Sequence, residues 1–103
     1  MLNIDDEFLM KIVDLGQLQY PCDKCINILN LSAGDAKVFE VQFTNLKSET
    51  RQAWEKGKDK ADFDIDTKLL LLAKAGDMKA IELIEDRIYS RNRAAKAKKN
   101  AIE

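Results

Sequence analysis

The chain has 103 residues, a length that suits one domain with a modest hydrophobic core. Apolar residues make up 46% and charged residues 34%, with one proline and four glycines, a balance that favours helices throughout. The longest apolar run, residues 69–73, is too short to cross a bilayer, and the acidic start of the chain is unlike a signal peptide. We therefore expect an all-α protein that stays in the cytoplasm and has no membrane partner.

The net charge of −1 hides an asymmetry along the chain. Residues 1–50 carry four lysines against eight acids, whereas residues 51–103 carry thirteen lysines and arginines against ten acids. The stretch 87–99 holds six positive charges and no acid. A polyanion is expected to meet the second half of the chain first.

Residues 3–17 are predicted to form the first helix. Asn3 is a candidate cap, the acids that follow it suit the positive helix start, and Gly16 is expected to close the helix. The predicted apolar face consists of Phe8, Leu9, Ile12 and Val13.

Residues 20–43 predict two short helices joined by a tight turn. Pro21 suits the first helical position, Asn30 tolerates the left-handed conformation that ends many helices, and Ser32 can cap the next helix. The spacing puts one group of residues on the buried face of the first of these helices: Cys22, Cys25, Ile26 and Leu29. The second helix is expected to supply apolar surface from Ala36, Phe39, Val41 and Phe43.

Helix, short turn and capped helix together predict a helix-turn-helix, whose second helix enters the DNA major groove. Ser32, Lys37 and Gln42 are then the candidate DNA-binding residues of that helix. A helical corner that only serves the core of a small bundle is the alternative. The helix has no arginine for a bidentate pair with guanine, which counts against DNA reading.

The two cysteines form a CDKC sequence at Cys22 and Cys25. Zinc needs four ligands, and this chain offers two soft ones and no histidine, so a zinc site would require a second subunit. Both cysteines fall on the predicted core face, so buried free thiols are favoured and no metal or other cofactor is expected.

A long helix is predicted from a cap at Ser48 to about Ala75, and Gly76 and Asp77 then form a corner into another helix. The two helices form an αα-hairpin with more apolar surface than it can bury. Either the first three helices or a second subunit must cover the remainder, and we favour a second subunit. The candidate oligomer interface consists of Trp54, Leu69, Leu70, Leu72, Ile81, Ile84 and Ile88.

Further candidate DNA contacts come from basic residues in the second half of the chain. They are Lys56, Lys58, Lys60, Arg87, Arg91 and Arg93. Residues 91–103 form a basic tail with helical propensity. We expect this tail to be disordered when no partner is bound. The predicted organisation is a helix-turn-helix unit at 1–46, the long helix and hairpin at 47–90, and this tail.

The order of these parts resembles that of small terminase subunits of tailed phages and prophages. The resemblance covers about residues 8–90 and is carried by the AWEKGKDKADFDID stretch and by LLLLAKAGDMKAIELIEDR, with its L-x-x-x-A-x-x-G-D-x-x-A-I run. It implies a DNA-packaging protein of a bacterial or infected host cell. Such a protein binds viral double-stranded DNA, assembles into a homo-oligomer and delivers the DNA to a large ATPase-nuclease subunit.

Two other functions remain open at this point: a helical adaptor for protein partners, and a small helix-turn-helix transcriptional regulator without a packaging role. An enzyme is not expected, because the chain has no histidine, no glycine-rich phosphate loop and no nucleophile with a neighbouring base. The acids at 62–66 alternate along a helix and are better explained as a solvated face than as a cation site.

Overall fold

The computed structural model describes the backbone of residues 2–102 and the side chains of residues 2–96. Within this part of the chain there are five helices and no strand, so the all-helical prediction is confirmed. The helices are α1 (Asp6–Gln17), α2 (Cys22–Leu29), α3 (Ala33–Thr44), α4 (Glu49–Lys74) and α5 (Met78–Ile102). They form two compact units, Met1–Asp62 and Phe63–Glu103, and α4 supplies residues to both.

The ends of α1 differ from the prediction. Asp5, and not Asn3, is the cap, with its carboxylate accepting a hydrogen bond of 2.8 Å from the backbone N–H of Phe8. Gly16 does not close the helix but lies buried inside it. The left-handed conformation after the helix belongs to Gln19, with φ 54°.

The core of the first unit brings α1, α2, α3 and the start of α4 together. Its buried members are Ile12, Leu15, Cys25, Phe39 and Trp54. Aromatic rings continue through this core, from Phe8 to Phe39, from Phe39 to Phe43 and from Phe43 to Trp54, with centroids 5.4 to 6.4 Å apart. Burial of these apolar groups is the main force that holds the first three helices against α4.

Two glycines allow α1 and α4 to pack backbone against backbone. A Cβ placed on Gly16 would lie 2.0 Å from the carbonyl oxygen of Trp54, and one on Gly57 would lie 2.0 Å from that of Val13. No side chain fits at either position without moving a helix. This contact explains why Gly16 is an interior helical residue and not a helix end.

The start of α4 is fixed by hydrogen bonds with the end of α3. The Ser48 hydroxyl accepts from the backbone N–H of Arg51 and donates to the carbonyl oxygen of Gln42, so the predicted Ser48 cap is confirmed. The hydroxyl of the fully buried Thr50 donates to Oε1 of Gln42 at 2.5 Å. These bonds tie the two helices together across a short connection.

The second unit contains an αα-hairpin of the end of α4 and α5. Gly76 adopts φ +94° at the corner, and the Asp77 carboxylate accepts from the backbone N–H of Ala80, as the sequence predicts. Ala80 and Ile84 are buried between the two helices. None of the helices in the described part of the chain is both long enough and apolar enough to span a membrane.

Candidate functional site

The α2–α3 corner has the local geometry that its sequence predicts. Asn30 ends α2 in the left-handed conformation, with φ 54° and ψ 48°, and its backbone N–H bonds back to the last turn of the helix. The Ser32 hydroxyl then caps α3 by accepting from the backbone N–H of Asp35 at 3.2 Å. Leu29 and Leu31, on either side of Asn30, pack against the core of the first unit. The corner therefore fixes the direction of α3 relative to α2.

One face of α3 is exposed, and it carries apolar as well as polar side chains. Lys37 lies on it together with Val38 and Val41, which are 43% and 69% exposed. Of the residues predicted to supply apolar surface on this helix, Phe39 is fully buried, whereas Val41 faces solvent, because a helical position two residues after Phe39 points away from the same neighbours. The helical period, applied to Phe39, could have found this exposed pair from the sequence.

Several polar side chains of α3 already have partners inside the protein. Gln42 is half-buried and its amide oxygen accepts from Thr50, while the hydroxyl of Thr44 donates to the backbone carbonyl oxygens of Glu40 and Val41. Ser32 is exposed, and its hydroxyl oxygen is used as the helix cap. Of the three DNA-binding candidates on this helix, Lys37 extends into solvent, whereas Ser32 and Gln42 have structural roles.

Trp54 is part of the chain's own core. Its side chain is 9% exposed, and its indole Nε1 donates to the backbone carbonyl oxygen of Tyr20 at 3.0 Å. The guanidinium of Arg51 lies over the rings of Phe43 and Trp54 and donates to the carbonyl oxygen of Phe43 at 3.1 Å. The structure therefore places Trp54 where it supports α3 and leaves little of it for a second subunit.

The candidate lysines of α4 do not share one surface. Lys56 and Lys60 are exposed and one helical turn apart, so they lie on the same side of α4. Lys58 is half-buried and lies on another side. The structure thus brings two of these three candidates together.

The candidate arginines of α5 differ in their ion pairing with Asp66. Asp66 bridges two of them, accepting from Nε of Arg87 and from Nη2 of Arg91, both at 2.5 Å. The hydrogen bond from Arg87, together with Arg91, lowers the pKa of the Asp66 carboxyl. Arg93 is exposed two residues after Arg91. The side chains of Lys98 and Lys99 lie outside the described residues.

The predicted interface residues of the hairpin divide into two groups. Ile84 is buried, and Leu69 and Ile81 are half-buried, so these three hold α4 and α5 together. The other group remains exposed, at 42–47%: Leu70, Leu72 and Ile88. A groove of about 260 Å³ runs beside the exposed Leu70 and Ile88, and Ile84 and Phe63 also line it.

The cysteine pair lies at the start of α2. Both thiols are free, Cys25 fully buried and Cys22 half-buried. Burial raises the pKa of both thiols, and the Glu40 carboxylate adds to the effect at Cys22. Thiols held in the protonated form are poor nucleophiles and poor metal ligands. In the described part of the chain no cluster of three or more histidine, cysteine or carboxylate side chains is placed to hold a metal ion.

Comparisons of the chain with protein-family models, with curated proteins and with solved structures found no match.

Proposed function

We propose that this chain is a DNA-binding, oligomerising protein of the kind that serves as the small subunit of a phage-type DNA-packaging terminase. The observation that carries the proposal is the α2–α3 corner, with a left-handed Asn30, a Ser32 cap and an exposed α3 face that is supported from behind by Phe39. In this proposal the two helices form a helix-turn-helix, and α3 enters the major groove of double-stranded DNA. A large ATPase-nuclease subunit then receives the DNA.

The hairpin of the second unit supports the oligomeric part of the proposal. Nine large apolar side chains between residues 63 and 89 are at least 40% exposed: Phe63, Ile65, Leu70, Leu71, Leu72, Met78, Leu83, Ile88 and Tyr89. Three of them, Phe63, Leu70 and Ile88, line one groove, and contiguous exposed apolar surface of this kind marks interaction sites. Sister subunits would cover it and would bring several DNA-binding units to one duplex.

A helical adaptor for protein partners is the second candidate, and the charge of the first unit favours it. Residues 1–62 carry eight lysines and arginines against eleven acids. Glu40 adds a negative charge at the exposed surface of α3, close enough to Cys22 to raise its pKa. An acidic surface repels phosphates, and an adaptor would bind no DNA.

Salt dependence separates the two functions. A fluorescently labelled duplex is titrated with the full chain at two salt concentrations, and its anisotropy is followed. The proposal predicts saturable binding that weakens steeply with salt, because each phosphate contact contributes a slope of about −0.9 in a plot of log affinity against log salt. Absence of binding at low salt would favour the adaptor.

Substitutions of exposed lysines test which of these residues contact DNA phosphates. Lys56→Ala combined with Lys60→Ala is expected to weaken binding and to flatten the salt slope by about two phosphate contacts. Lys11→Ala is the matched control, because Lys11 is an exposed lysine of α1 that pairs with Glu7. It should leave the slope unchanged.

A further inference from the structure

We infer that α3 reads DNA through methyl groups, with Val38 and Val41 packing against the C5-methyl groups of thymines in the major groove. The inference rests on the proposed function, since it names what the exposed face of α3 recognises when DNA is bound. It makes Val38 and Val41 the residues that determine sequence preference.

The first step is that the neutral polar side chains of α3 are already engaged, which leaves the charged Lys37 and Glu40 as its exposed hydrogen-bonding groups. A bidentate pair with adenine needs both the oxygen and the nitrogen of an amide, and the amide oxygen of Gln42 is held by Thr50 at 2.5 Å. The hydroxyl of Thr44 is used on backbone carbonyl oxygens of its own helix. The hydroxyl oxygen of Ser32 caps the helix.

The second step is that α3 offers methyl groups instead. Val38 and Val41 lie three residues apart, on one side of the helix, and are among the exposed large apolar residues of the first unit. Because the Thr44 hydroxyl is engaged within the helix, the methyl group is what this side chain can offer to a partner. Valine has a lower helix propensity than alanine, lysine or glutamate, so these two exposed valines do not serve the stability of α3 itself.

The third step concerns the first turn of α3, where a glycine leaves the surface without a side chain. Three of the four glycines have a reason within the fold, since Gly16 and Gly57 lie against backbone and Gly76 has a positive φ. Gly34 has none: it is helical, and a Cβ there would meet nothing within 4 Å. It lies one turn before Val38 on the same side of α3. A missing side chain at this position lets the start of α3 approach a groove wall closely.

The last step is the chemistry of the groove. The thymine C5-methyl is the apolar group that normal bases display in the major groove, and apolar side chains recognise it by contact. Guanine is normally read by arginine or lysine, and α3 contains one lysine and no arginine. Duplexes rich in thymine are therefore the preferred ligand.

The test compares duplexes that differ only in this methyl group. Binding of the full chain is measured by anisotropy to alternating adenine–thymine duplex and to the same duplex with deoxyuridine in place of thymidine. A second pair uses alternating guanine–cytosine duplex with cytosine or with 5-methylcytosine, which places a methyl at the equivalent position. Both methylated duplexes should bind more tightly, by about fourfold for each methyl group buried.

Variants connect this preference to the two valines. Val38→Ala and Val41→Ala, each checked for unchanged helical circular dichroism, are expected to reduce both methyl preferences. Lys37→Ala should weaken binding to all four duplexes by a similar factor and keep the preferences. Met10→Ala is the matched control, because Met10 is an exposed apolar residue of α1 and should change neither quantity.

The possible results separate the inference from the function on which it rests. Loss of the methyl preference in the valine variants supports the inference. Equal binding to methylated and unmethylated duplexes overturns it and leaves DNA binding intact. Absence of binding to every duplex overturns the proposed function, and the inference with it.

Discussion

At the scale of single residues, the first unit depends on groups that join α4 to the preceding helices. The Trp54 indole donates to the Tyr20 carbonyl oxygen, and the Arg51 guanidinium lies over the Trp54 ring. Gly16 and Gly57 allow the α1 and α4 backbones to touch. Trp54 and the two glycines fix α4 behind the helices that hold α3.

Gly57→Ala tests the backbone contact. The added Cβ would lie 2.0 Å from the Val13 carbonyl oxygen, so α1 and α4 must separate. We expect the free energy of unfolding to fall by about 1–3 kcal/mol, the usual cost of overpacking, in a urea titration followed by circular dichroism. Gly34→Ala is the matched control, because nothing lies within 4 Å and alanine is the better helix former. A Gly57→Ala protein as stable as the Gly34→Ala protein would contradict the contact.

At the scale of elements, the α2–α3 corner depends on one left-handed residue. Asn30 has φ 54°, a conformation that costs most L-residues about 1–2 kcal/mol. Asn30→Val should therefore lower the free energy of unfolding by about that amount, whereas Asn30→Gly should keep or raise it. Thermal unfolding followed by circular dichroism measures both variants. Equal stability of the two would mean that the corner does not hold a left-handed residue.

The α4–α5 hairpin is expected to respond to acid through Asp66. Its pKa is lowered by the hydrogen bond from Arg87 and by Arg91, so the folded hairpin binds this proton less readily than the unfolded chain. The stabilisation is therefore present above the unfolded pKa of about 4 and is lost as pH falls through the lower folded value. Since the Arg91 side chain is 54% exposed, solvent screening limits the effect to about 1 kcal/mol or less.

Asp66→Asn checks this contribution. The variant should be less stable than the wild type at neutral pH and should approach it in acid, where the wild-type carboxylate is protonated. Asp64→Asn, two residues away on an exposed position of α4, is the control. A stability difference between Asp66→Asn and wild type that stays constant from neutral pH to pH of about 2 would contradict the assignment.

The same elements show what could be predicted from sequence and what could not. Asn30, Ser32, Ser48 and Asp77 act through neighbours in the chain, and each has the predicted role. The prediction that Gly16 ends α1 is wrong, because the role of this glycine depends on the backbone of α4, which is far away in sequence. Local patterns predict the caps and corners that neighbouring residues form, whereas contacts between helices, which decide the role of Gly16, have no local signal.

The residues of the candidate site likewise divide into those whose surroundings the sequence indicates and those whose partners it does not. Of the predicted DNA-binding residues of α3, Lys37 is exposed, whereas Gln42 is held by Thr50 through a hydrogen bond that no spacing rule indicates. The predicted interface residue Ile84 is buried within the hairpin itself. The sequence could place these side chains on a helix but not choose among their partners.

At the scale of the whole molecule, exposed apolar residues of the hairpin should control assembly. Leu70→Glu combined with Ile88→Glu puts charges at exposed positions beside the groove and avoids the buried Ile84. We expect a smaller species in light scattering, with unchanged helical content, because charges in an apolar interface are costly. Ile28→Glu, at an exposed apolar residue of α2, should leave the assembly size unchanged. A double variant of wild-type size would place the assembly surface elsewhere.

The central claim is that several copies of this chain bind one duplex, and a mass measurement tests it most directly. Size-exclusion chromatography with light scattering is run on the full chain mixed with an adenine–thymine-rich duplex at low salt. The account predicts a complex whose mass exceeds that of the duplex by at least two chains of 11.7 kDa. Separate elution of free duplex and an 11.7 kDa monomer would contradict both the DNA binding and the assembly.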